Sequence, residues 1–252
     1  MKAAALFTDY DGTIAPMGVP REESRVSEPL RSRLERLSAR IPVALVTSKD
    51  LAFVRPRTAF ATAWACAMGM EIALADGRHR VMDCANGVSS SMSEVEDLAA
   101  RGFVVEKKMA SDGRMLGLSI DWSEGPRVSR REAASLVSML KGFGLYASHY
   151  EGETFVDAFC AKADKGKALV TLRRMLGVEG AVIYLGDSAR DNDAFDLAEG
   201  PVGVSHGQGT KGLRCLFMVE DRDVAALLDG LLERDLEFPV HAPELRTGGT
   251  LR

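Results

Sequence analysis

Hydrophobic residues follow two arrangements along the chain, and the arrangement changes twice. Near the start, short uninterrupted apolar runs alternate with a segment in which leucines recur at spacings of three and four residues. An unbroken apolar run is typical of a strand buried on both faces of a parallel sheet, whereas the recurring leucines indicate an amphipathic helix. The same succession returns after residue 164. We therefore predict an α/β domain with a parallel sheet to which both ends of the chain contribute.

The pattern also places the elements of this domain. A strand at residues 3–7 ends in an acidic turn that contains a glycine, and a helix at 27–39 leads to a second strand at 42–46. This succession is the strand–helix–strand unit of parallel sheets. The other predicted strands lie at residues 61–68, 181–185, 201–204 and 216–219, and the other predicted helices at 165–176, 191–197 and 224–232.

The middle of the chain differs, because polar and apolar residues alternate there. Runs at 104–109 and 116–122 flank Asp112 and Gly113, and an Asp-Gly pair between two such runs predicts a β-hairpin. The further elements predicted in this part are a helix at 130–141 and a strand pair at 145–150 and 154–159. Together these elements indicate a separate antiparallel α+β domain.

The change of pattern sets the predicted domain boundaries. The core takes residues 1–82 and 162–237, and the inserted domain takes residues 83–161. A tail rich in proline, glycine and threonine follows at 238–252, and we expect it to be loosely held.

Composition and charge exclude several classes of protein. The chain has 252 residues, of which 46% are hydrophobic and 27% charged, as in soluble globular proteins. Its 24 glycines and 9 prolines are too few for a collagen-like or largely disordered chain. The net charge of −4 provides no basic field for nucleic acid or an anionic membrane, and no apolar run is long enough for a membrane helix. We expect a cytoplasmic monomer or dimer with a small-molecule partner, no nucleic-acid partner and no membrane partner.

The four cysteines favour a reducing compartment. Cys66, Cys84, Cys160 and Cys215 stand far apart and form no Cys-x-x-Cys pair. Three of them lie within apolar runs, so we expect buried reduced thiols rather than a disulfide framework or a zinc site.

Carboxylates follow two of the predicted parallel strands. Asp9 and Asp11 come after the first strand, and Asp187 and Asp191 after the strand at 181–185. Ligands of open parallel sheets bind at the carboxyl ends of the strands, so these side chains are expected to lie close together. Four carboxylates around one point require a cation, and a small set of oxygen ligands suits Mg²⁺.

Groups that suit a phosphoryl oxyanion accompany these acids. Thr47 and Ser48 follow the second strand, and Lys165 begins the returning α/β part of the chain. Hydroxyls, backbone N–H groups and an ammonium are the donors that a tetrahedral phosphoryl group needs.

Four short motifs, taken in order, resemble those of the haloacid dehalogenase superfamily of phosphohydrolases. They are D-Y-D-G-T at 9–13, V-T-S at 46–48, D-K-G at 164–166 and G-D-S-A-R-D at 186–191. The surrounding D-Y-D-G-T-I-A-P, A-M-G-M-E-I, A-D-K-G-K-A-L and Y-L-G-D-S-A-R-D-N-D-A-F stretches look like trehalose-6-phosphate phosphatases. The T-S-K and G-D-S stretches look more like mannosyl-3-phosphoglycerate and sucrose-phosphate phosphatases. The resemblance implies a Rossmann-like, doubly wound core and an inserted cap of subclass IIB that closes over the active site.

The resemblance also implies a mechanism. Asp9 would attack phosphorus and become an aspartyl phosphate, while Asp11 would protonate the leaving oxygen and later deprotonate water. The residues implied for phosphate binding are Gly12, Thr47, Ser48 and Lys165. Those implied for Mg²⁺ are Asp9, Asp11 through its backbone carbonyl, Asp187 and Asp191, the last as a ligand or as an orienting residue.

The residues that would contact the sugar are less defined by the motifs. Glu71 is a candidate by resemblance, and Arg190 is one because the relatives usually carry Asn or Thr there. Lys49 also departs from the trehalose-phosphate phosphatases, which usually have Gly. The candidates in the inserted domain are Lys107, Lys108, Arg114, His149, Glu151 and Glu153.

These observations favour a Mg²⁺-dependent phosphatase that hydrolyses a phosphorylated sugar or glycoside similar to trehalose 6-phosphate. A mannosyl- or glucosyl-3-phosphoglycerate phosphatase and a phosphosugar mutase of the same superfamily are the alternatives. A phosphorylated signalling module is a third, although receiver domains lack the insert and the second acid. A catalytically inactive sugar sensor is the fourth, and the filled catalytic positions argue against it.

Overall fold

A computed structural model describes residues 1–84, 92–150, 152–162, 164–207, 212–238 and 245–247. Its strands are β1 (Ala3–Thr8), β2 (Val43–Val46), β3 (Ala63–Cys66), β4 (Glu71–Leu74), β5 (His79–Val81), β6 (Val104–Met109), β7 (Met115–Asp121), β8 (Tyr146–Ser148), β9 (Phe155–Phe159), β10 (Ala181–Gly186), β11 (Gly200–Ser205), β12 (Phe217–Glu220) and β13 (Arg246–Thr247). Its α-helices are α1 (Glu28–Ser38), α2 (Leu51–Val54), α3 (Met92–Ala100), α4 (Arg130–Gly142), α5 (Lys165–Leu176), α6 (Asn192–Phe195) and α7 (Val224–Glu233).

The large sheet of the described residues is doubly wound. Its strand order is β13-β12-β11-β10-β1-β2-β3-β4-β5, and the six strands from β12 to β3 are parallel. From β1 the chain proceeds to β2 on one side, and it later returns to β10 on the other side. The order therefore reverses between β1 and β10, which is the position where open parallel sheets place their ligands.

Helices cover both faces of this sheet. On one face, Leu34 and Leu37 of α1 share a buried cluster with Leu228 of α7. On the other face, Leu172 of α5 and Phe195 of α6 lie in a second cluster. Each fully buried leucine of this kind contributes about 1.5–3 kcal/mol of transfer free energy. The two layers confirm the predicted α/β core with a doubly wound sheet.

The second sheet of the described residues is antiparallel, with the order β6-β7-β9-β8. The helices α3 and α4 pack against it around Leu118, Ile120 and Val156. The predicted hairpin forms between β6 and β7, and Gly113 turns there with a φ of 85°. This α+β layer is the inserted domain, called the cap below, whose boundaries at 83 and 161 stay a prediction.

Strand register gives the cap sheet one polar face. Glu106 pairs with Ser119, Ser119 with Asp157, and Asp157 with Ser148. Because side chains alternate across a strand, this row lies opposite the row that contains Leu118 and the helices. The helices therefore cover one face, while the polar row is left on the other face.

The chain after β3 departs from the predicted elements. The strand predicted at 61–68 ends at Cys66, because Ala67 and Met68 adopt φ values of 46° and 60° and form a tight turn. Two antiparallel strands that were not predicted, β4 and β5, follow and meet at Gly77, where φ is 94°. The helix predicted at 191–197 is also shorter, since α6 covers only four residues.

The expectation of four reduced cysteines is wrong for one pair. Cys84 and Cys160 form a disulfide, with 5.6 Å between their Cα atoms. Spacing along the chain could not indicate this pair, because the folding of the insert brings together residues that are 76 positions apart. Cys66 and Cys215 are free and buried, as expected.

The described residues of the tail contact the core. Phe238 is buried, and β13 pairs with β12 at the sheet edge. The other tail residues lie outside the described ranges. Within the described ranges, no helix has both the length and the apolar composition needed to cross a bilayer.

The cap core predicts a large difference between two substitutions. Leu118→Ala removes a side chain that is fully buried between β7 and the cap helices, and we expect it to lower the free energy of unfolding by about 2–5 kcal/mol. Val104→Ala, in the adjacent strand, changes a side chain that is 60% exposed and should alter stability by about 0.5 kcal/mol or less. Urea denaturation followed by circular dichroism measures both changes. Similar losses in the two variants would contradict the packing described.

Candidate active site

The nucleophile candidate lies at the switch point of the sheet. Asp9 follows β1, and its backbone N–H donates to the carbonyl of Leu185 in β10 at 2.9 Å. Its Oδ1 accepts the backbone N–H of Tyr10 at 2.7 Å, and its Oδ2 accepts from the ammonium of Lys165. These contacts hold the carboxylate in one orientation at the carboxyl end of the strand.

Lys165 lies between two carboxylates. It is the first residue of α5 and is 1% exposed, and its Nζ also donates to Asp191 Oδ1 at 2.8 Å. Burial alone would lower the pKa of Lys165, but the carboxylates of Asp191 and Asp9 outweigh burial and raise it. The lysine is therefore a permanent cation beside Asp9.

Asp191 is buried and hydrogen-bonded at both oxygens. Besides Lys165, Oδ1 accepts the hydroxyl of Tyr184 at 2.7 Å, and Oδ2 accepts the N–H and hydroxyl of Ser188 at 3.1 Å each. Burial and the charge of Asp191 raise the pKa of Tyr184 well above its usual value, so the phenol stays protonated and donates a hydrogen bond to Asp191. Asp191 is therefore held in place to orient Lys165.

Three carboxylates of like charge lie close together beside Lys165. One carboxylate oxygen from each of Asp9, Asp187 and Asp191 lies within 4.8 Å of the others. Burial, followed by the charges of Asp9 and Asp191, raises the pKa of Asp187 well above 3.8. Burial also raises the pKa of Asp9 to about 6, although Lys165 opposes it. One ammonium does not balance three acids, and this set of hard oxygen ligands fits a divalent cation such as Mg²⁺.

Gly12 lies so close to the Asp187 carboxylate that the backbone there has no room for a side chain. Its φ is 72°, a left-handed conformation that favours glycine. A Cβ at this position would lie 2.3 Å from Asp187 Oδ2, so a side chain here would displace that carboxylate. The carbonyl of Gly12 also contacts His206 Nε2 at 2.7 Å, and Asp187 Oδ1 accepts the hydroxyl of Thr13 at 3.2 Å.

The threonine of the second motif reaches the same edge of the sheet. The parallel register of β1 with β2 pairs Thr8 with Leu45, so Thr47 follows its strand on the same side as Asp9. Thr47 is buried, and its hydroxyl accepts the N–H of Lys49 at 3.2 Å. Ser48 lies half-buried beside it.

Asp11 has a more open environment than Asp9. Its side chain is 32% exposed, compared with 11% for Asp9. Its Oδ1 accepts the hydroxyl of Ser24 at 3.0 Å, and its Oδ2 lies 3.4 Å from Lys49 Nζ. Partial exposure suits a group that exchanges protons with substrate and water.

The polar face of the cap sheet contacts the core loops at Glu106. This carboxylate binds Arg21 of the core and lies 3.5 Å from Lys49 Nζ. Lys108 of the same strand is 1% exposed and contacts Glu106 at 2.8 Å. Three cations from the core and cap thus gather on one carboxylate.

Arg190 joins the fourth motif to the cap. Its guanidinium donates to both oxygens of Glu153 at 3.0 and 2.7 Å, and to Asp157 at 2.7 Å. It also stacks on Tyr150 and Phe155, 4.9 and 4.8 Å from the ring centroids. Since all these partners belong to the cap, Arg190 fixes the cap on the core.

The structure brings together most of the residues predicted for catalysis and separates several predicted for the substrate. Lys107 is exposed on the face opposite Glu106, and Arg114 is exposed in ion pairs with Asp112 and Asp83. Glu71 is buried and accepts from Ser111 N and His79, so it supports the cap hairpin. Glu151 lies outside the described residues.

Several residues near the site are not among those predicted from the sequence. Ser24 lies outside every motif, and the motif stretch that begins at Tyr184 assigns this residue no role, because the contacts of both depend on folded loops and strands. The alternation along β6 could have indicated that Glu106 and Lys108 share a face. The residues that were not predicted are Thr13, Ser24, Glu106, Asp157, Tyr184, Ser188 and His206.

Comparison with known proteins agrees with this geometry. No protein-family model matches the chain. The trehalose-phosphate phosphatases of Mycobacterium tuberculosis and Mycobacterium bovis are 27% identical to it over 258 residues, covering 94% of this chain and 63% of theirs. That of Mycolicibacterium paratuberculosis is 28% identical, covering 92% and 63%. The chain thus spans less than two thirds of the length of these relatives.

Solved structures show a common fold. The C-terminal domain of C. albicans trehalose-6-phosphate phosphatase superposes with a TM-score of 0.70 at 15% identity, covering 92% of each chain. A haloacid dehalogenase subclass IIB sugar phosphatase superposes with a TM-score of 0.64 at 13% identity, covering 93% of this chain and all of the other. The fold is that of the haloacid dehalogenase superfamily. The resemblance indicated by the four motifs, with its core and inserted cap, is confirmed.

The crowded acids of this haloacid dehalogenase fold predict a pH-dependent stability. In EDTA at pH 8, Asp187→Asn should raise the free energy of unfolding, because it removes a carboxylate whose charge is disfavoured by burial and by Asp9 and Asp191. The raised pKa of Asp187 means that its unfavourable contribution appears as pH rises and is absent below its unfolded value near 3.8. The gain should therefore shrink at pH 5.

Urea titrations in EDTA at the two pH values measure this gain, with the exposed Asp97→Asn as the control. An equal gain at pH 5 and pH 8 would show that charge repulsion is not its cause.

The Arg190 ion pairs predict a second effect on stability. Arg190→Met leaves Asp157, which is 1% exposed, without its cation, and should lower the free energy of unfolding by about 3 kcal/mol. Asp157→Asn added to Arg190→Met should recover part of the loss. The exposed Arg222→Met serves as the control, and a loss that the second substitution does not reduce would contradict the pairing.

Proposed function

We propose that this chain is a phosphatase that releases inorganic phosphate from a phosphorylated sugar or glycoside through an aspartyl phosphate on Asp9. One observation carries the proposal. Asp9 lies buried at the switch point with Lys165 on one oxygen, and a second, more exposed acid, Asp11, follows two residues later. Covalent phosphoryl transfer needs a nucleophilic carboxylate beside a fixed cation and a separate acid for proton transfer.

The first step forms the covalent intermediate. An oxygen of Asp9 bonds to phosphorus as the bond from phosphorus to the sugar oxygen breaks, and the protonated Asp11 gives its proton to that oxygen. Lys165 stabilises the negative charge of the transferring phosphoryl group, assisted by the hydroxyl of Thr47 and by backbone N–H groups. The sugar leaves as an alcohol, and Asp11 is left as a carboxylate.

The second step restores the enzyme. Asp11 takes a proton from water as the water oxygen bonds to phosphorus, and the bond between phosphorus and Asp9 breaks. Inorganic phosphate leaves, Asp9 is again a carboxylate, and Asp11 is again an acid. The sum is hydrolysis of one phosphate ester.

Asp9 and Asp187, with the backbone carbonyl of Asp11, are the residues that would hold Mg²⁺. The ion would offset the negative charge that otherwise keeps an anionic substrate away from Asp9. The hydrogen bonds at both oxygens of Asp191 favour a positioning role for that residue over direct ligation.

The polar face of the cap supports a sugar as the leaving group. Glu106, Lys108 and Glu153 place acceptors and a donor on the side of the cap that contacts the core loops. Alternating acceptors and donors suit the hydroxyls of a glycoside. The trehalose-phosphate phosphatases among the relatives make trehalose 6-phosphate the first substrate to test.

A glycosyl-3-phosphoglycerate is the second candidate. Arg21, Lys49 and Lys108 already converge on one carboxylate, that of Glu106. A substrate that carries its own carboxylate would find the same three cations. Substrate comparison separates the two classes.

Asp9→Asn should lower phosphate release by at least about 10³-fold, because the amide cannot form the covalent intermediate. The measurement is inorganic phosphate release with Mg²⁺ from trehalose 6-phosphate, sucrose 6-phosphate, mannosyl- and glucosyl-3-phosphoglycerate and hexose phosphates. Chelation with EDTA should abolish release and added Mg²⁺ should restore it. An unaffected Asp9→Asn variant would refute the nucleophile, and transfer of phosphate to another sugar position without release would indicate the mutase.

A further inference from the structure

The side chain of Asp11, the proposed proton-transfer acid, is held by other residues than the carboxylate of Asp9. The Asp9 carboxylate is fixed by Lys165 and a backbone N–H, whereas neither of these groups bonds to the Asp11 side chain. Among the described residues, the Asp11 carboxylate contacts the hydroxyl of Ser24 at 3.0 Å and the ammonium of Lys49 at 3.4 Å. The two contacts engage different oxygens, and together they set the rotation of the carboxyl group.

Ser24 is itself firmly placed. It is 4% exposed, and its carbonyl accepts the hydroxyl of Tyr10 at 2.7 Å. Tyr10 is fully buried, and its ring stands edge-on to Phe53 with 5.8 Å between centroids. Since Tyr10 lies between Asp9 and Asp11 in the chain, the serine fixes Asp11 relative to the nucleophile.

Lys49 connects the acid to the cap. Its Nζ lies 3.4 Å from Asp11 Oδ2 and 3.5 Å from Glu106 Oε2, and its backbone N–H donates to Thr47. One ammonium therefore contacts the acid of the core and a carboxylate of the cap at the same time. A change in the position of β6 would alter the partner of Lys49 and with it the support of Asp11.

We propose that Ser24 and Lys49 are positioning residues for Asp11, holding its carboxyl group where it delivers a proton to the leaving oxygen when the cap rests on the core. This inference rests on the proposed phosphatase function. It assigns no contact with substrate to Ser24, which acts only through Asp11.

The choice of leaving group isolates this role. A sugar oxygen departs as an alcohol and needs the proton of Asp11, whereas p-nitrophenolate is stable as an anion and needs it little. The test is the first-turnover rate of leaving-group release at saturating substrate, measured by rapid quench. The substrates are p-nitrophenyl phosphate and the phosphosugar that wild-type enzyme hydrolyses best. A change that only loosens the fold slows both alike.

We expect Ser24→Ala to slow sugar release about tenfold and nitrophenol release by about twofold or less. Ser24→Thr retains the hydroxyl and should recover part of the loss. In an Asp11→Asn background, Ser24→Ala should cause no further loss with the sugar, because the group it positions is gone. Thr58→Val, which removes a buried hydroxyl bonded to Val54 and Trp64, is the control and should leave the ratio of the two rates unchanged.

Lys49→Met gives the same comparison without altering the buried Ser24, so it remains decisive if Ser24→Ala does not fold. Lys49→Met should also lower the ratio of the sugar-release rate to the nitrophenol-release rate, and Lys49→Arg should restore that ratio. Equal effects on both substrates, or no effect in either variant, would overturn the positioning role. If instead wild-type enzyme released neither leaving group, or Asp9→Asn stayed active, the proposed phosphatase function itself would be wrong.

Discussion

The buried ammonium of Lys165, held between Asp9 and Asp191, is the interaction on which the site depends. Burial acts against every charge in this group, and three carboxylates within 4.8 Å of one another repel each other strongly. Lys165 supplies the one cation from within the group, and its own charge persists because two of the acids touch it. The remaining excess of negative charge fits the binding of a divalent cation.

This arrangement explains how distant parts of the chain cooperate. β1 leads to Asp9, the loop after β10 supplies the two other acids, and the first turn of α5 supplies the lysine. The adjacent parallel pairing of β1 and β10 makes the first two meet. The insert leaves the core after β5, at the edge of the sheet, and its return connection ends at α5, whose first residue is Lys165.

Much of the core could be predicted from sequence, because its signals are local. Buried runs such as 181–185 and the acidic turn after residue 7 mark a strand and the end of a strand by composition alone. The cap was predictable as an antiparallel unit, but the residues of its polar face were not. Lys107 and Lys108 are indistinguishable in composition, and only the pleat of β6 turns one toward solvent and the other toward the core. The Cys84–Cys160 pair likewise depends on where the insert returns to the core.

Arg190 limits which inserted domains this core could accept. The turn that holds Asp187 and Asp191 also anchors the cap, through an arginine whose partners Glu153 and Asp157 both lie in the cap. A different insert without these two acids would leave the guanidinium buried and unpaired beside Asp187 and Asp191. In this chain, a cap from another source would need both acids, or the arginine would have to be replaced by an uncharged residue at the same time.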